Sequence, residues 1–263
     1  MGDLAQLRQD LWALDRVVVA FSGGADSAFL AWVAHDTLGP ERARAVTAVS
    51  PSLAADELDD CRALASEWGL NWSTVLTAEM ENAAYRINDG DRCYHCKVAL
   101  MDVTGPLAAA DDAVVVLGVN LDDLGDHRPG QRAAAERAAR FPLVDAGYTK
   151  SEIRADSKRL GLRTWDKPAA ACLASRIPYG TPVSVPLLRR VDRAEACLHR
   201  LGLTQVRVRD YDETARIELD PAEFAVALEQ RDAIVSGLRA AGYRYVTLDL
   251  EGFRSGNLNQ ALS

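Results

Sequence analysis

Short apolar runs alternate with longer amphipathic stretches over the first two thirds of the chain. Arg16–Phe21 holds Val17, Val18, Val19 and Ala20 in succession and is closed by Ser22-Gly23-Gly24, the pattern of a buried strand ending at a turn. Helical spacing follows from Ala25 to about Leu38. Further strands are predicted at Ala45–Val49, Asn71–Leu76 and Val114–Val119, with a helix from about Asp56 to Trp68. Thr149-Lys150-Ser151-Glu152 is a capping-box pattern that opens a helix to Leu160, with Gly161 as its stop. Strands alternating with helices predict βαβ units, so the fold class expected is α/β with a parallel sheet.

The pattern changes after Gly180, where Thr181-Pro182-Val183-Ser184-Val185-Pro186 reads as a linker. A helix is predicted from Leu187 to Leu201, then alternating strands at Gln205–Arg209 and Ala215–Leu219, joined by a hairpin turn at Asp210-Tyr211-Asp212-Glu213. A helical stretch from Pro221 to about Ala240 and a last strand at Tyr243–Leu248 complete a smaller α+β module. The expected division is residues 1–181 and 182–263. No internal repeat or low-complexity tract interrupts either part.

With 263 residues the chain can bury two cores. The net charge of −8 and the dispersal of Arg among acids, as in Glu136-Arg137, argue against a nucleic-acid partner. No apolar run approaches the roughly 18 residues of a membrane helix. The start, Met1 to Gln6, lacks the basic and apolar regions of a signal peptide, so a cytoplasmic location is expected. Five cysteines, an odd number, suit reduced thiols available for chemistry or metal binding rather than a disulfide framework.

Ser22-Gly23-Gly24-Ala25-Asp26-Ser27 stands between the first strand and the first helix. Two glycines let backbone N–H groups approach an anion, the helix start adds a positive dipole end, and Ser22 and Ser27 offer hydroxyls. The Lys of a Walker loop is missing, so γ-phosphate transfer is not implied. Gly118-Val119-Asn120-Leu121-Asp122-Asp123 leaves the fourth strand on the same edge, and Asp122 and Asp123 are candidate Mg²⁺ ligands. Gly118, Asn120 and Ser50, which closes the second strand, are counted as contacts of the same bound phosphate ligand; Arg128 is a candidate clamp for an anionic group.

Cys93-Tyr94-His95-Cys96 lies in the loop after the third strand, and Cys172 lies in Ala171-Cys172-Leu173-Ala174-Ser175-Arg176-Ile177-Pro178-Tyr179-Gly180. A redox disulfide, structural zinc and an iron–sulfur cluster are all open. Structural zinc prefers four protein ligands, whereas three thiolates leave one iron of a 4Fe–4S cluster for a substrate atom. Cys61 and Cys197 share helical faces with leucines and read as core residues, as do Trp12, Trp32 and Trp68.

The Ser-Gly-Gly-x-Asp-Ser loop resembles the PP-loop of ATP pyrophosphatases, whose superfamily adenylates substrates and releases pyrophosphate on a Rossmann-like parallel sheet. The Asn120–Gly130 and Ala171–Gly180 segments, with Val246-Thr247-Leu248-Asp249-Leu250-Glu251-Gly252-Phe253-Arg254-Ser255-Gly256, resemble the LarE family of ATP-dependent sulfur transferases. The resemblance covers nearly the whole chain. It implies ATP and Mg²⁺, and a pyridinium dicarboxylate mononucleotide as small-molecule substrate, in nickel-pincer nucleotide synthesis. It also implies a homo-oligomer and transient contact with other enzymes of that pathway.

One branch of the family sacrifices the sulfur of a single cysteine, here at the position of Cys172. Another uses three cysteines and a 4Fe–4S cluster; Cys93, Cys96 and Cys172 place this chain with the second. Arg176 is then expected to steady a phosphate or developing charge, and Ser175 to touch substrate. Arg207 and Arg209, alternating on one strand, with Glu195 and Glu218, form a candidate substrate-phosphate or metal site. The competing readings are a tRNA thiolase, disfavoured by the charge balance, a non-catalytic nucleotide or iron–sulfur sensing module, and an ammonia-using synthetase, which would need no cysteines.

Overall fold

The computed structural model describes residues 2–124, 129–168 and 171–254. Chain contacts divide it into two compact units. The first takes the described residues up to 50, 56–81 and those of 93–168. Its elements are α1 (Leu4–Leu14), β1 (Val17–Ala20), α2 (Ala25–Leu38), β2 (Ala43–Val49), α3 (Ala55–Trp68) and β3 (Asn71–Leu76). A short helix, α4 (Ala83–Ile87), belongs to the other unit. The first unit resumes with α5 (Arg92–Ala110), β4 (Val114–Leu117), α6 (Pro129–Ala135), α7 (Pro142–Asp145) and α8 (Lys150–Arg159).

Four parallel strands lie in the order β3-β2-β1-β4, with Val19 opposite Ala45 on one side and Val116 on the other. Successive β1 side chains point to opposite faces. Val17 and Val19 join a core with Leu7 from α1, Phe29 from α2, Ile153 from α8 and Tyr148, two residues ahead of α8. Val18 joins a second core with Met101, Leu117 and Ala134. Each of these fully buried valines contributes about 1.5–3 kcal/mol of burial free energy. The expected α/β architecture is therefore present, with apolar cores on both faces of the sheet. Because all four strands run the same way, β1, β2 and β4 all end at one edge.

The second unit takes residues 51–55, 82–92 and the described residues from 171 on. It holds α9 (Val185–Arg200), β5 (Val206–Tyr211), β6 (Thr214–Leu219), α10 (Phe224–Glu229), α11 (Arg231–Ala241) and β7 (Tyr245–Leu248). β5 and β6 form the expected antiparallel hairpin, and β7 adds parallel to β6. Leu198, Val206, Val208, Leu219 and Leu238 make its core. A Cβ on Gly237 would stand 2.2 Å from Cys197 Sγ, so this glycine lets α11 close on α9.

Three expectations change. The space-based division does not fall at residue 182 alone, because 51–55 and 82–92 pack with the later part of the chain. The Cys93–Cys96 segment is not a loop; it opens α5, whose apolar run at Val98–Met101 is followed by Gly105-Pro106, residues that read as a break. Trp12 is 56% exposed with Arg42 stacked on it at 4.6 Å, because Leu7 and Leu11 form the core-facing stripe of α1. Among the described residues, no helix is long and apolar enough to cross a membrane.

Candidate active site

β1 runs through buried Phe21 into the glycine turn. Gly23 takes φ +70°, where glycine is favoured, and a Cβ there would lie 2.9 Å from Cys61 Sγ and 3.7 Å from Lys167 Nζ. Burial pushes the Cys61 thiol up to about 11, so it stays a neutral packing group beneath the loop. Gly24 is the N-cap of α2, and no cap side chain competes for the first N–H groups of the helix. Ser27 Oγ accepts the Ser22 N–H at 3.2 Å, donates to Gly24 O at 3.1 Å and lies 3.0 Å from Ser22 Oγ. Ser27 therefore staples the loop, while exposed Ser22 stands at its surface.

Gly118 ends β4 against this loop: a Cβ would fall 2.8 Å from Ser27 N and 2.9 Å from Asp26 C. That close approach delivers Asn120, whose Nδ2 donates to Asp26 Oδ2 at 3.0 Å. Asn120 and Asp123 form a reciprocal capping box around the 3₁₀ turn Leu121–Asp123. Asp123 pairs with Lys150 Nζ at 2.8 Å, and Asp122 accepts the Lys150 backbone N–H at 2.8 Å. Burial and the neighbouring Asp123 charge raise Asp26 to about 6, against the pull of Lys150, Asn120 and Arg154. The carboxylates that influence each other beside the glycine turn are thus Asp26 and Asp123, while Asp122 caps the start of α8.

Lys167 joins this region from the far end of the unit. It pairs with Glu57 at 2.8 Å and Asp60 at 2.6 Å on α3. Burial lowers its pKa, but the two carboxylate hydrogen bonds outweigh that, and the net shift is upward. Arg154 donates to Trp165 O and Lys167 O, fixing the backbone there.

In the second unit, exposed Cys172 is the N-cap of the 3₁₀ turn Leu173–Arg176. The carbonyls of this irregular segment need partners, and charged side chains supply them. Arg176 Nη1 donates to Ala171 O at 2.5 Å, Cys172 O at 3.0 Å and Ser175 Oγ at 3.0 Å. Its Nε and Nη2 make a forked pair with Glu195, which also accepts the Val208 N–H. Arg209 donates to Ser175 O at 2.8 Å and pairs with Glu218 at 2.7 Å, and Arg216 shares Glu218. So Arg176, expected at a developing charge, holds the Cys172 segment. Glu195 and Glu218, expected as metal ligands, are neutralised by arginines. Arg207 lies over the Phe253 ring at 5.1 Å.

A family model described as NAD synthase matches residues 7–92, which carry the glycine turn. An uncharacterized protein of Synechocystis sp. is 48% identical over 263 residues, 99% of this chain and 98% of its own. One of Methanocaldococcus jannaschii is 26% identical over 249 residues, 91% of each chain. The pyridinium-3,5-bisthiocarboxylic acid mononucleotide synthase of Lactiplantibacillus plantarum, a LarE protein, is 38% identical over 251 residues, 95% of this chain and 91% of that one. The chain belongs to the LarE family. It is accordingly an ATP-dependent sulfur transferase.

In this LarE chain Cys93 and Cys96 stand three residues apart in the first turn of α5, one exposed and one half-buried. That spacing puts both on one side of the helix. A Cβ on Gly130 would approach Cys93 O to 3.1 Å, so α6 packs directly on that turn. Among the described residues, no three His, Cys, Asp or Glu side chains gather as a metal site requires. Ser50 ends β2 at the sheet edge shared with the glycine turn. Arg128 lies outside the described residues, as do Ser255 and Gly256. Sequence reasoning missed Lys150, Arg154 and Lys167 as site residues. Lys167 carries a signal only in hindsight: it opens the Lys167–Cys172 stretch.

Proposed function

We propose that this LarE protein adenylates a carboxylate of a pyridinium dicarboxylate mononucleotide and then replaces AMP with sulfur, in nickel-pincer nucleotide synthesis. The observation that carries this reading is the glycine turn with Asp26, Asn120 and Asp123 at one sheet edge, in a chain matched over nearly its full length by the L. plantarum synthase. A substrate carboxylate oxygen attacks the α-phosphorus of ATP. The bond to the β-phosphate oxygen breaks, and pyrophosphate leaves into the glycine turn and the N–H groups opening α2. Asp26 and Asp123 would hold Mg²⁺, whose charge offsets that of the phosphates. A sulfur anion then adds to the acyl carbon, and AMP leaves with the electron pair of the carbon–oxygen bond.

The donor set suits an iron–sulfur cluster, since thiolates are its usual ligands. Cys93, Cys96 and Cys172 would hold it, and it would supply a metal-bound sulfide. A second reading, transfer of the Cys172 sulfur itself to leave dehydroalanine, is favoured by the exposure of Cys172. A small-molecule substrate, a homo-oligomer and transient contact with enzymes of the same pathway belong to both readings.

The test is a pair of assays on single variants. Asp26→Ala and Ser27→Ala lose substrate-dependent pyrophosphate release; retained release in both sinks the adenylation site. Cys93→Ala, Cys96→Ala and Cys172→Ala keep pyrophosphate release. If a shared cluster operates, all three lose iron–sulfur absorbance and sulfur transfer. If Cys172 is the donor, Cys172→Ala alone is dead, and the parent loses the mass of one H₂S per turnover.

A further inference from the structure

Asn88 follows α4 in the left-handed conformation, φ 60° and ψ 49°, with its side chain fully buried. Its Nδ2 lies within hydrogen-bonding reach of three carbonyls, Ile177 O at 3.3 Å, Pro178 O at 2.9 Å and Thr181 O at 2.8 Å. Its Oδ1 accepts from Arg92 Nη1 at 2.5 Å, and that same nitrogen donates to Ala174 O at 2.9 Å. The Arg92 guanidinium, also buried, stands 5.5 Å from the Tyr179 ring. Backbone bonds reinforce the link, from Gly180 N to Asn88 O and from Val183 N to Arg86 O. On the N-terminal side, Leu173 N donates to Ser52 O at 2.9 Å.

We propose that Asn88 and Arg92 are positioning residues for sulfur transfer: they fix the backbone that carries Cys172. This rests on the reading that Cys172 handles the transferred sulfur. Burying a guanidinium and an amide is costly unless their donors find partners, and Arg92 Nη1 and Asn88 Nδ2 find carbonyls of the Cys172 segment. Side chains held by such bonds keep a reacting atom in place, and a displacement of about 1 Å can cost about 100-fold in rate. The structure thus gives the Cys172 segment two clamps, Arg176 with Arg209 and Asn88 with Arg92.

The test uses the full chain carrying Arg92→Met, Arg92→Lys or Asn88→Gly. Glycine keeps the left-handed backbone, and lysine keeps a charged donor. Three readouts are taken: pyrophosphate release, sulfur transfer, and the iodoacetamide alkylation rate of Cys172 in substrate-free protein, followed by peptide mapping. Pyrophosphate release should stay within about twofold of the parent in kcat and in KM for ATP. Sulfur transfer should fall about tenfold or more in Arg92→Met and Asn88→Gly, with a changed Cys172 alkylation rate and partial recovery in Arg92→Lys. Parental sulfur transfer and alkylation in both Arg92→Met and Asn88→Gly would overturn the proposal. So would loss of pyrophosphate release in step with sulfur transfer, which marks a general folding role. Cys172→Ala, run alongside, separates the premises: if it still transfers sulfur, the reading of Cys172 is wrong, while the alkylation rates still judge the clamp.

Discussion

Asp26 shows how a residue's surroundings redirect its chemistry. As an exposed carboxylate it would titrate near 3.8, but burial and Asp123 lift it to about 6. Between those values the folded chain keeps a proton that the unfolded chain has lost. Stability therefore falls as pH rises through that window and stays lower above it. In metal-free protein, Asp26→Asn should be more stable than the parent at pH 7.5, by on the order of 1–3 kcal/mol, with the gap closing below about pH 4. Urea unfolding at the two pH values measures this, and an equal gap at both would count against the burial of that charge. The same variant should lose pyrophosphate release, the mark of a residue kept for function at the expense of stability.

At the scale of elements, the site depends on the end of β4 coming within van der Waals contact of the first turn of α2. Gly118 permits it, since any Cβ would press on the backbone of Asp26 and Ser27. That backbone cannot swing aside as a long side chain would. Gly118→Ala should raise the KM for ATP about tenfold or more and destabilise the chain by about 1–3 kcal/mol. Pyrophosphate kinetics and thermal unfolding read both effects; parental values would mean that the strand end gives way freely. In the sequence Gly118 stood out only as part of a motif following a strand, and its steric reason was not legible there. Helix α5 was illegible for a local reason, its Gly105-Pro106 pair, which reads as punctuation although the helix continues through Pro106.

At the scale of the whole molecule, the second unit is assembled from three separate stretches of chain. Ser52 and Tyr85 meet through their hydroxyls, Ser52 O holds Leu173 N, and Ala55 N reaches Asp192 on α9. A chain cut after Thr181 would leave 51–55 and 82–92 without the core built from β5, β6, α9 and α11. It should lose its cooperative unfolding transition and bind a hydrophobic dye, whereas a clean two-state melt would show that the later stretch is dispensable for folding. The linker at Thr181–Pro186 marked where the composition changes, but a composition shift says nothing about which earlier segments return to pack with the C-terminal stretch.

Periodicity and punctuation determined the individual strands, the hairpin of β5 and β6, and the glycine turn at the end of β1, because each depends on residues close together in the chain. The Thr149–Glu152 capping box, which the structure reproduces, was legible for the same reason. Only the tertiary structure decided that Asp26 feels the charge of Asp123, that Lys167 lies beside Gly23, and that Arg209 holds a carbonyl of the Cys172 segment. Those relations join residues separated by tens to more than a hundred positions. A guanidinium reads the same in sequence whether it faces a phosphate or a buried carbonyl. Its role is set by which partners the fold brings within about 3 Å and by the desolvation that makes them bind each other rather than water.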